Sequence, residues 1–275
     1  MRKLKYILIV FTLVITACQD YESDINIKPA DPQLVLSAFL SPRDTITYVY
    51  LNQTTPTLGD SDQDPFVRDA TIILSDGNFS DTLQFDAFND SYSTYRSIES
   101  DKTYTITALY NGKKAVGTCT VLPESPVDFR YTIDSVINND QVKYIVYYEW
   151  TDSSLTIAQT YYRTDVELQY IELGEIYNFG AQNLKPNKRN VQKGTGFNTK
   201  MNILYESTFI PRNSLKFLDI HLFMIDENYY KFELSDKGSM NGFNTEPVNV
   251  FSNIKGGLGI VASYNNYALK NLFFQ

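Results

Sequence analysis

Thr103-Tyr104-Thr105-Ile106-Thr107-Ala108-Leu109-Tyr110, then Asn111-Gly112, then Lys113-Lys114-Ala115-Val116-Gly117-Thr118-Cys119-Thr120-Val121-Leu122 is the stretch that decides the fold. Asn-Gly is the dipeptide favoured by a two-residue hairpin turn, whose central positions both need positive φ. The flanking runs, Thr103–Tyr110 and 115–122, alternate and are rich in residues that suit a pleated, half-buried surface. They read as two antiparallel strands. Upstream, the same grammar repeats as short apolar runs at Leu34–Leu40, 45–51, 70–74 and 82–88. These are punctuated by Ser-Pro-Arg-Asp, by Asn52, by Ser75-Asp76-Gly77-Asn78 and by Asn89-Asp90. About seven strands without a helical period indicate an immunoglobulin-like β-sandwich over 34–123.

Two prolines, Pro123 and Pro126, then break the pattern and mark a boundary. Beyond it, residues 124–275 read as a second β-rich domain. Its strand candidates are 127–136, 142–150, Tyr161–Glu172, Leu215–Ile225 and a final strand through Tyr264. Residues 174–200 are polar and basic (Lys185, Lys188, Arg189, Lys193 and Lys200 against Glu175) and read as a long loop or extended hairpin. One helix is predicted near 226–237. Asp226 is its N-cap, Ile225 and Tyr230 occupy staple positions, and Lys237-Gly238 forms its end. The expected fold class is all-β with one short helix, in two β-sandwich-like domains.

The N-terminus is organised differently. Arg2, Lys3 and Lys5 precede an apolar run at 6–17, too short for the roughly 20 residues that span a bilayer. Residues 1–17 therefore read as a signal peptide. Ile15-Thr16-Ala17-Cys18 resembles the bacterial lipobox, which implies lipid attachment at Cys18 and durable anchoring by more than one acyl chain. Residues 18–33, with Pro29 and Pro32, form a tether with a reach of about 50 Å. Asp20, Glu22 and Asp24 just after the cysteine look like the acidic export signal of surface lipoproteins in Bacteroidota; a solvated linker is the alternative.

The formal net charge is −8, and loss of the signal peptide moves it to −11. That argues against nucleic acid, whose phosphates call for clustered Lys and Arg. With Cys18 lipidated, Cys119 has no disulfide partner and is expected to be a buried, inert thiol.

Several groups carry candidate chemistry. Asp60, Asp62 and Asp64 alternate in an acidic loop, but Pro65 and Thr71 stand where a calcium-binding EF-hand needs Gly and Glu, so calcium binding stays open. His221 is the only histidine and reads as a hydrogen-bonded structural residue rather than a metal ligand. Tyr144, Tyr147, Tyr148, Trp150, Tyr161 and Tyr162 form either a sugar-stacking platform or a sandwich core, the core being favoured. Three triplets resemble the O-glycosylation motif of Bacteroidota and give Thr45, Thr82 and Ser135 as candidate glycan carriers that must face solvent. No catalytic residue, metal or cofactor is assigned.

The segment 243–254, Phe-Asn-Thr-Glu-Pro-Val-Asn-Val-Phe-Ser-Asn-Ile, followed by Gly256-Gly257-Leu258-Gly259-Ile260, resembles the C-terminal signature of a Bacteroidota lipoprotein family catalogued as domain of unknown function 4249. The likeness runs through the chain, including Val67-Arg68-Asp69-Ala70 and Val121-Leu122-Pro123. It departs after Ile260, where Val261-Ala262 replaces a frequent aromatic. The glycines of the signature read as bulge or close-approach positions. The resemblance implies an outer-membrane lipoprotein often encoded beside a TonB-dependent transporter. It brings no activity. The expected function is thus a non-enzymatic accessory or ligand-capture partner of such a transporter in nutrient uptake, at the cell surface or on the periplasmic face. The alternatives are a stand-alone glycan- or peptide-binding lipoprotein, or a hydrolase with an unrecognised carboxylate pair.

Overall fold

The computed structural model describes residues 31–55, 64–124, 128–155, 160–179, 190–207, 209–236, 249–267 and 269–273. Its strands are, in order, β1 Leu34–Leu40, β2 Thr47–Gln53, β3 Thr71–Ser75, β4 Ser80–Thr82, β5 Gln84–Asp86, β6 Ser91–Thr94, β7 Thr103–Tyr110 and β8 Lys113–Thr120. There follow β9 Phe129–Asn138, β10 Gln141–Asp152, β11 Tyr161–Glu172, β12 Glu175–Phe179, β13 Asn190–Lys193, β14 Thr199–Glu206, β15 Ile210–Pro211 and β16 Leu215–Ile225. Among the described residues one helix, α1 Glu227–Asp236, precedes β17 Leu258–Asn266 and β18 Leu269–Phe273. The fold is nearly all β, with three sheets in a sandwich-like arrangement.

The deciding hairpin forms as its sequence demands. Asn111 (φ 46°) and Gly112 (φ 74°) make the turn, and the register runs from Tyr110↔Lys113 to Thr103↔Thr120. Alternation puts Tyr104, Ile106 and Ala108 inward, opposite Cys119, Gly117 and Ala115. This hairpin belongs to a four-stranded sheet, β4-β3-β7-β8. Its buried residues share one core with Leu34, Leu36, Ala38 and Leu40 of β1 and Val49 and Leu51 of β2. Residues 82–88, expected as one strand, are split. Leu83 is buried and its N–H bonds Ile72 O at 2.9 Å, so β4 stays with β3 while β5 crosses to β6 in the other sheet.

That other sheet is ten-stranded, ordered β12-β11-β16-β17-β1-β2-β6-β5, with β13 added on β11 and β18 on β16. It runs across the boundary read at Pro123–Pro126. Strand β17, from the C-terminal section, lies parallel to β1 from Val35↔Leu258 to Leu40↔Ser263 and antiparallel to β16 from Ile225↔Tyr264 to Phe223↔Asn266. Val261 and Ile254 complete the N-terminal core, so residues 34–123 do not hold that core alone. The described residues from Pro32 onward fall in one compact unit. Strands from both sides of that boundary join one sheet, because β17 pairs with β1.

A third sheet, β14-β10-β15 with β9 on β10, shares a second core with β11 and β16 built on Trp150, Tyr162, Val166, Leu218, Ile220 and Leu222. The opposite face of the long sheet carries α1, where Tyr229 packs with Tyr161, Ile225, Ile260 and Ala262. In the segment expected as a long loop or an extended hairpin, β12 folds back on β11 as a hairpin through Leu173-Gly174, both at positive φ, while β13 pairs with β11 and β14 with β10; 180–189 lie outside the described residues.

The parallel entry of β17 is tight. A Cβ at Gly257 would stand 2.5 Å from Leu34 O, and one at Gly117 would stand 2.4 Å from Val261 Cγ2. Gly259 combines φ +110° with a would-be Cβ 2.1 Å from Leu36 O. The signature glycines are therefore architectural. Gly259→Ala is expected to lower unfolding stability by about 2–4 kcal/mol. Gly77→Ala, at φ +89° with open space around it, should cost only about 1 kcal/mol. Equal shifts in the urea midpoints of the two variants would refute the close-approach argument.

Candidate functional site

Strands β11 and β16 pair from Tyr161↔Ile225 to Tyr170↔Leu215. Even-numbered Tyr162, Val166 and Leu168 of β11 enter the second core. The period-2 alternation of a strand then sends Arg163, Asp165 and Glu167 to the face that carries α1. On β16, Asp219, His221 and Phe223 share that face, with Asp219 opposite Glu167 and His221 opposite Asp165. The result is a polar stripe two strands wide.

Its inner end is a buried ionic cluster. Arg163 Nη2 donates to Asp165 Oδ2 at 2.6 Å, and Nη1 lies 3.6 Å from Glu233 Oε1 of α1. Nη1 also donates to the Tyr229 hydroxyl. The side chains of Arg163, Asp165 and Glu233 are only 11%, 6% and 9% exposed. The guanidinium sits 5.1 Å from the centroid of Phe223 and 5.6 Å from that of Tyr229. Burial opposes its charge, but the Tyr229 hydroxyl, Asp165 and Glu233 outweigh burial and raise its pKa.

The outer end is a triad. One ligand-capable atom each from Glu167, Asp219 and His221 lies within 4.8 Å of the others; Glu167 is exposed and its partners half-buried. The His221 ring stacks on Phe223 at 5.7 Å and 13°. Its Nδ1 is sealed from solvent and, among the described residues, has no hydrogen-bond partner. Sequence reading expected a hydrogen-bonded structural histidine. The cross-strand register sets it beside two carboxylates. Burial pushes Asp219 up, partly offset by His221.

Helix α1 is positioned by its predicted cap. Asp226 Oδ1 accepts from Tyr229 N at 2.7 Å, while Oδ2 accepts from Ser263 N at 2.8 Å and Asp226 N donates to Ser263 O at 3.0 Å. The helix is thereby pinned to β17. Burial pushes the Asp226 carboxyl from its ordinary 3.8 up to about 6, against the hydrogen bonds from Tyr229 and Ser263. Lys237-Gly238 lies outside the described residues.

The residues singled out from sequence do not converge on the stripe. Cys18, Asp60 and Asp62 lie outside the described residues, and Asp64 is paired with Arg68, which also reaches Asp90 at 2.9 Å. Thr45, Thr82 and Ser135 are exposed and far apart in the chain. The aspartates before them make structural bonds. Asp44 accepts from the Tyr264 hydroxyl at 2.5 Å, Asp81 from Thr94 Oγ1 at 2.8 Å, and Asp134 from Ser135 N at 2.7 Å. Of the aromatic cluster, Trp150, Tyr161 and Tyr162 are core residues. Asp152 beside them is fully buried and accepts from Gly196 N at 2.6 Å, Thr160 Oγ1 at 2.9 Å and the Tyr162 hydroxyl at 3.0 Å. Cys119 is buried and free, and burial pushes its thiol far up. The stripe itself was missed. Its signal was Arg-x-Asp-x-Glu at 163–167 and Asp-x-His at 219–221, charges at strand period.

These features define a multi-sheet β protein whose long central sheet carries one helix and a charged stripe on the same face. The chain belongs to the family described as "Domain of unknown function (DUF4249)", whose model matches residues 20–269. No curated protein matches it.

Two outcomes check the electrostatics. Arg163→Met leaves Asp165 and Glu233 buried together without their cation and should cost about 3–5 kcal/mol in denaturant unfolding. Lys231→Ala, which breaks the exposed pair with Glu227, should cost less than about 1 kcal/mol. A carboxyl with a folded pKa above its unfolded value contributes most at low pH and loses that contribution as pH rises through the folded pKa. The Asp226 contribution should therefore decline between about pH 4 and pH 6, by about 3 kcal/mol at most. In urea titrations across that range, Asp226→Asn should remove this component of the slope; an unchanged slope would rule it out.

Proposed function

We propose that this protein is a lipid-anchored outer-membrane protein, displayed at the cell surface, that serves without catalysis as an accessory or ligand-capture partner of a TonB-dependent transporter in nutrient uptake. The observation that carries the reading is Ile15-Thr16-Ala17-Cys18, placed directly after a basic start and a short apolar run. Lipidation at Cys18 ties the folded region to a membrane, and the tether gives it reach. The likeness of the chain to a lipoprotein family of Bacteroidota supports the transporter as partner. The acidic balance speaks against nucleic acid as the ligand. Burial of Trp150, Tyr161 and Tyr162 lowers the standing of the glycan-binding alternative, since those rings are committed to the core.

The decisive experiment is affinity purification of the tagged full chain from outer membranes solubilised in mild detergent, with mass spectrometry of what accompanies it. A stoichiometric TonB-dependent transporter is the expected result. Recovery of the protein alone, under conditions that preserve a known transporter complex, would overturn the partnership. Cys18→Ala should move the protein from the membrane to the soluble fraction; retention in the membrane would remove the anchor from the proposal.

A further inference from the structure

We propose that Glu167, Asp219 and His221 form a binding site for a divalent transition-metal ion of the zinc class on the outer face of the long sheet. The three side chains come from paired strands, so the β11–β16 register fixes their spacing. Their donor atoms lie within 4.8 Å of one another. Ligands about 2.0–2.2 Å from a shared ion fall in that range after a small rotamer adjustment. One imidazole and two carboxylates are a borderline donor set. It is too rich in nitrogen to favour calcium and carries no thiolate.

Two observations independent of the spacing point to a cation. The first is the His221 nitrogen sealed from solvent without a hydrogen bond among the described residues. A buried polar atom left unsatisfied costs about 1–3 kcal/mol, and a metal ion accepting an imidazole lone pair, with the proton on the other nitrogen, changes which ring atom must find a partner. Stacking on Phe223 holds the ring plane in place for it. The second is the charge around the site. Glu167 and Asp219 face each other across the strand pair. Like charges set directly opposite on one sheet face are destabilising, and a cation shared by both carboxylates relieves that. Asp219 is half-buried and desolvated, which strengthens its interaction with any ion that arrives. Glu167 is exposed, so the site opens outward. Three protein ligands leave coordination positions for water or for a donor group of a bound molecule.

The test uses the full chain, purified in detergent with a tag that contains no histidine, stripped with chelator and titrated with Zn²⁺ by calorimetry. Metal content after dialysis provides the stoichiometry, and Co²⁺ serves as a spectroscopic probe of imidazole and carboxylate ligation. The expected result is saturable binding of about one equivalent. His221→Ala and Asp219→Asn should each weaken it at least about tenfold, and Zn²⁺ should raise the melting temperature of the parent chain but not that of His221→Ala. Glu167→Gln guards against a folding artefact, because its exposed side chain can be changed without entering the core; it should weaken binding without lowering the apo melting temperature. Absence of saturable Zn²⁺ binding by the parent chain overturns the proposal. So does binding that survives all three substitutions unchanged.

Discussion

The edge of β17 that β16 does not reach is completed by side chains rather than by another strand, and the rest of the fold depends on this. The Asn253 amide accepts from Val261 N–H at 2.9 Å and donates to Val261 C=O at 2.7 Å. Two residues further on, Ser263 is met by the Asp226 carboxylate and by Asp226 N–H. Then β16 takes over from Tyr264. A buried strand must place every N–H and C=O, and here an amide, a helix cap and a strand share that task along one line. With that edge closed, the other edge of β17 pairs with β1, and the two sandwich cores are joined by one continuous sheet. The linker is drawn in by the same strand: Ser263 Oγ accepts from Leu122 N at 2.9 Å, and Asn265 Nδ2 donates to Pro123 O at 2.8 Å.

Helix α1 and the charged stripe follow from that closure. Asp226 caps the helix and bonds β17 in one residue, so α1 can lie only where its Tyr229 and Glu233 reach Arg163. A buried guanidinium with two buried carboxylates is costly unless its hydrogen bonds are made. It favours one seating of the helix over slipped ones because a shift along the sheet would strand a charge. The stripe continues to Glu167, Asp219 and His221, of which Glu167 is exposed and the other two half-buried. One sheet face therefore grades from dry ion pairs to accessible donors within two strands.

Much of the fold was legible in short-range chemistry. Asn111-Gly112 fixed a hairpin, Asp226 announced a helix, and β1, β7, β11 and β16 have the bounds that alternation suggested, because each of these rests on local φ preference, capping or period. What was not legible is long-range. No local signal says that β17 lies beside β1, so Pro123 and Pro126 read as a domain boundary although the sheet passes over them. Leu83 looked like the middle of a strand because a switch between sheets leaves the hydrophobic alternation intact. The charged stripe was present as Arg163, Asp165 and Glu167 at spacing two, but its partner residues sit some 50 positions away and meet it only through register. Trp150 and Tyr162 could have been core or surface on letters alone; a ring-to-ring distance of 5.5 Å inside the second core decided it.

The insertion of β17 also sets an order of events. Its Tyr264 hydroxyl finds Asp44 from 220 residues away, and Val261 fills a core whose other members were synthesised far earlier. Contacts this remote carry a loop-closure cost and slow folding. A chain that emerges N-terminus first therefore holds an unfinished sandwich with β1 and β8 waiting, and an open strand edge invites pairing with other chains. Only a nearly full-length product can close it. Strand β17 thus works as a test of completeness: a polypeptide cut short before Leu258 lacks Val261 in its N-terminal core and leaves the β1 edge without its partner strand.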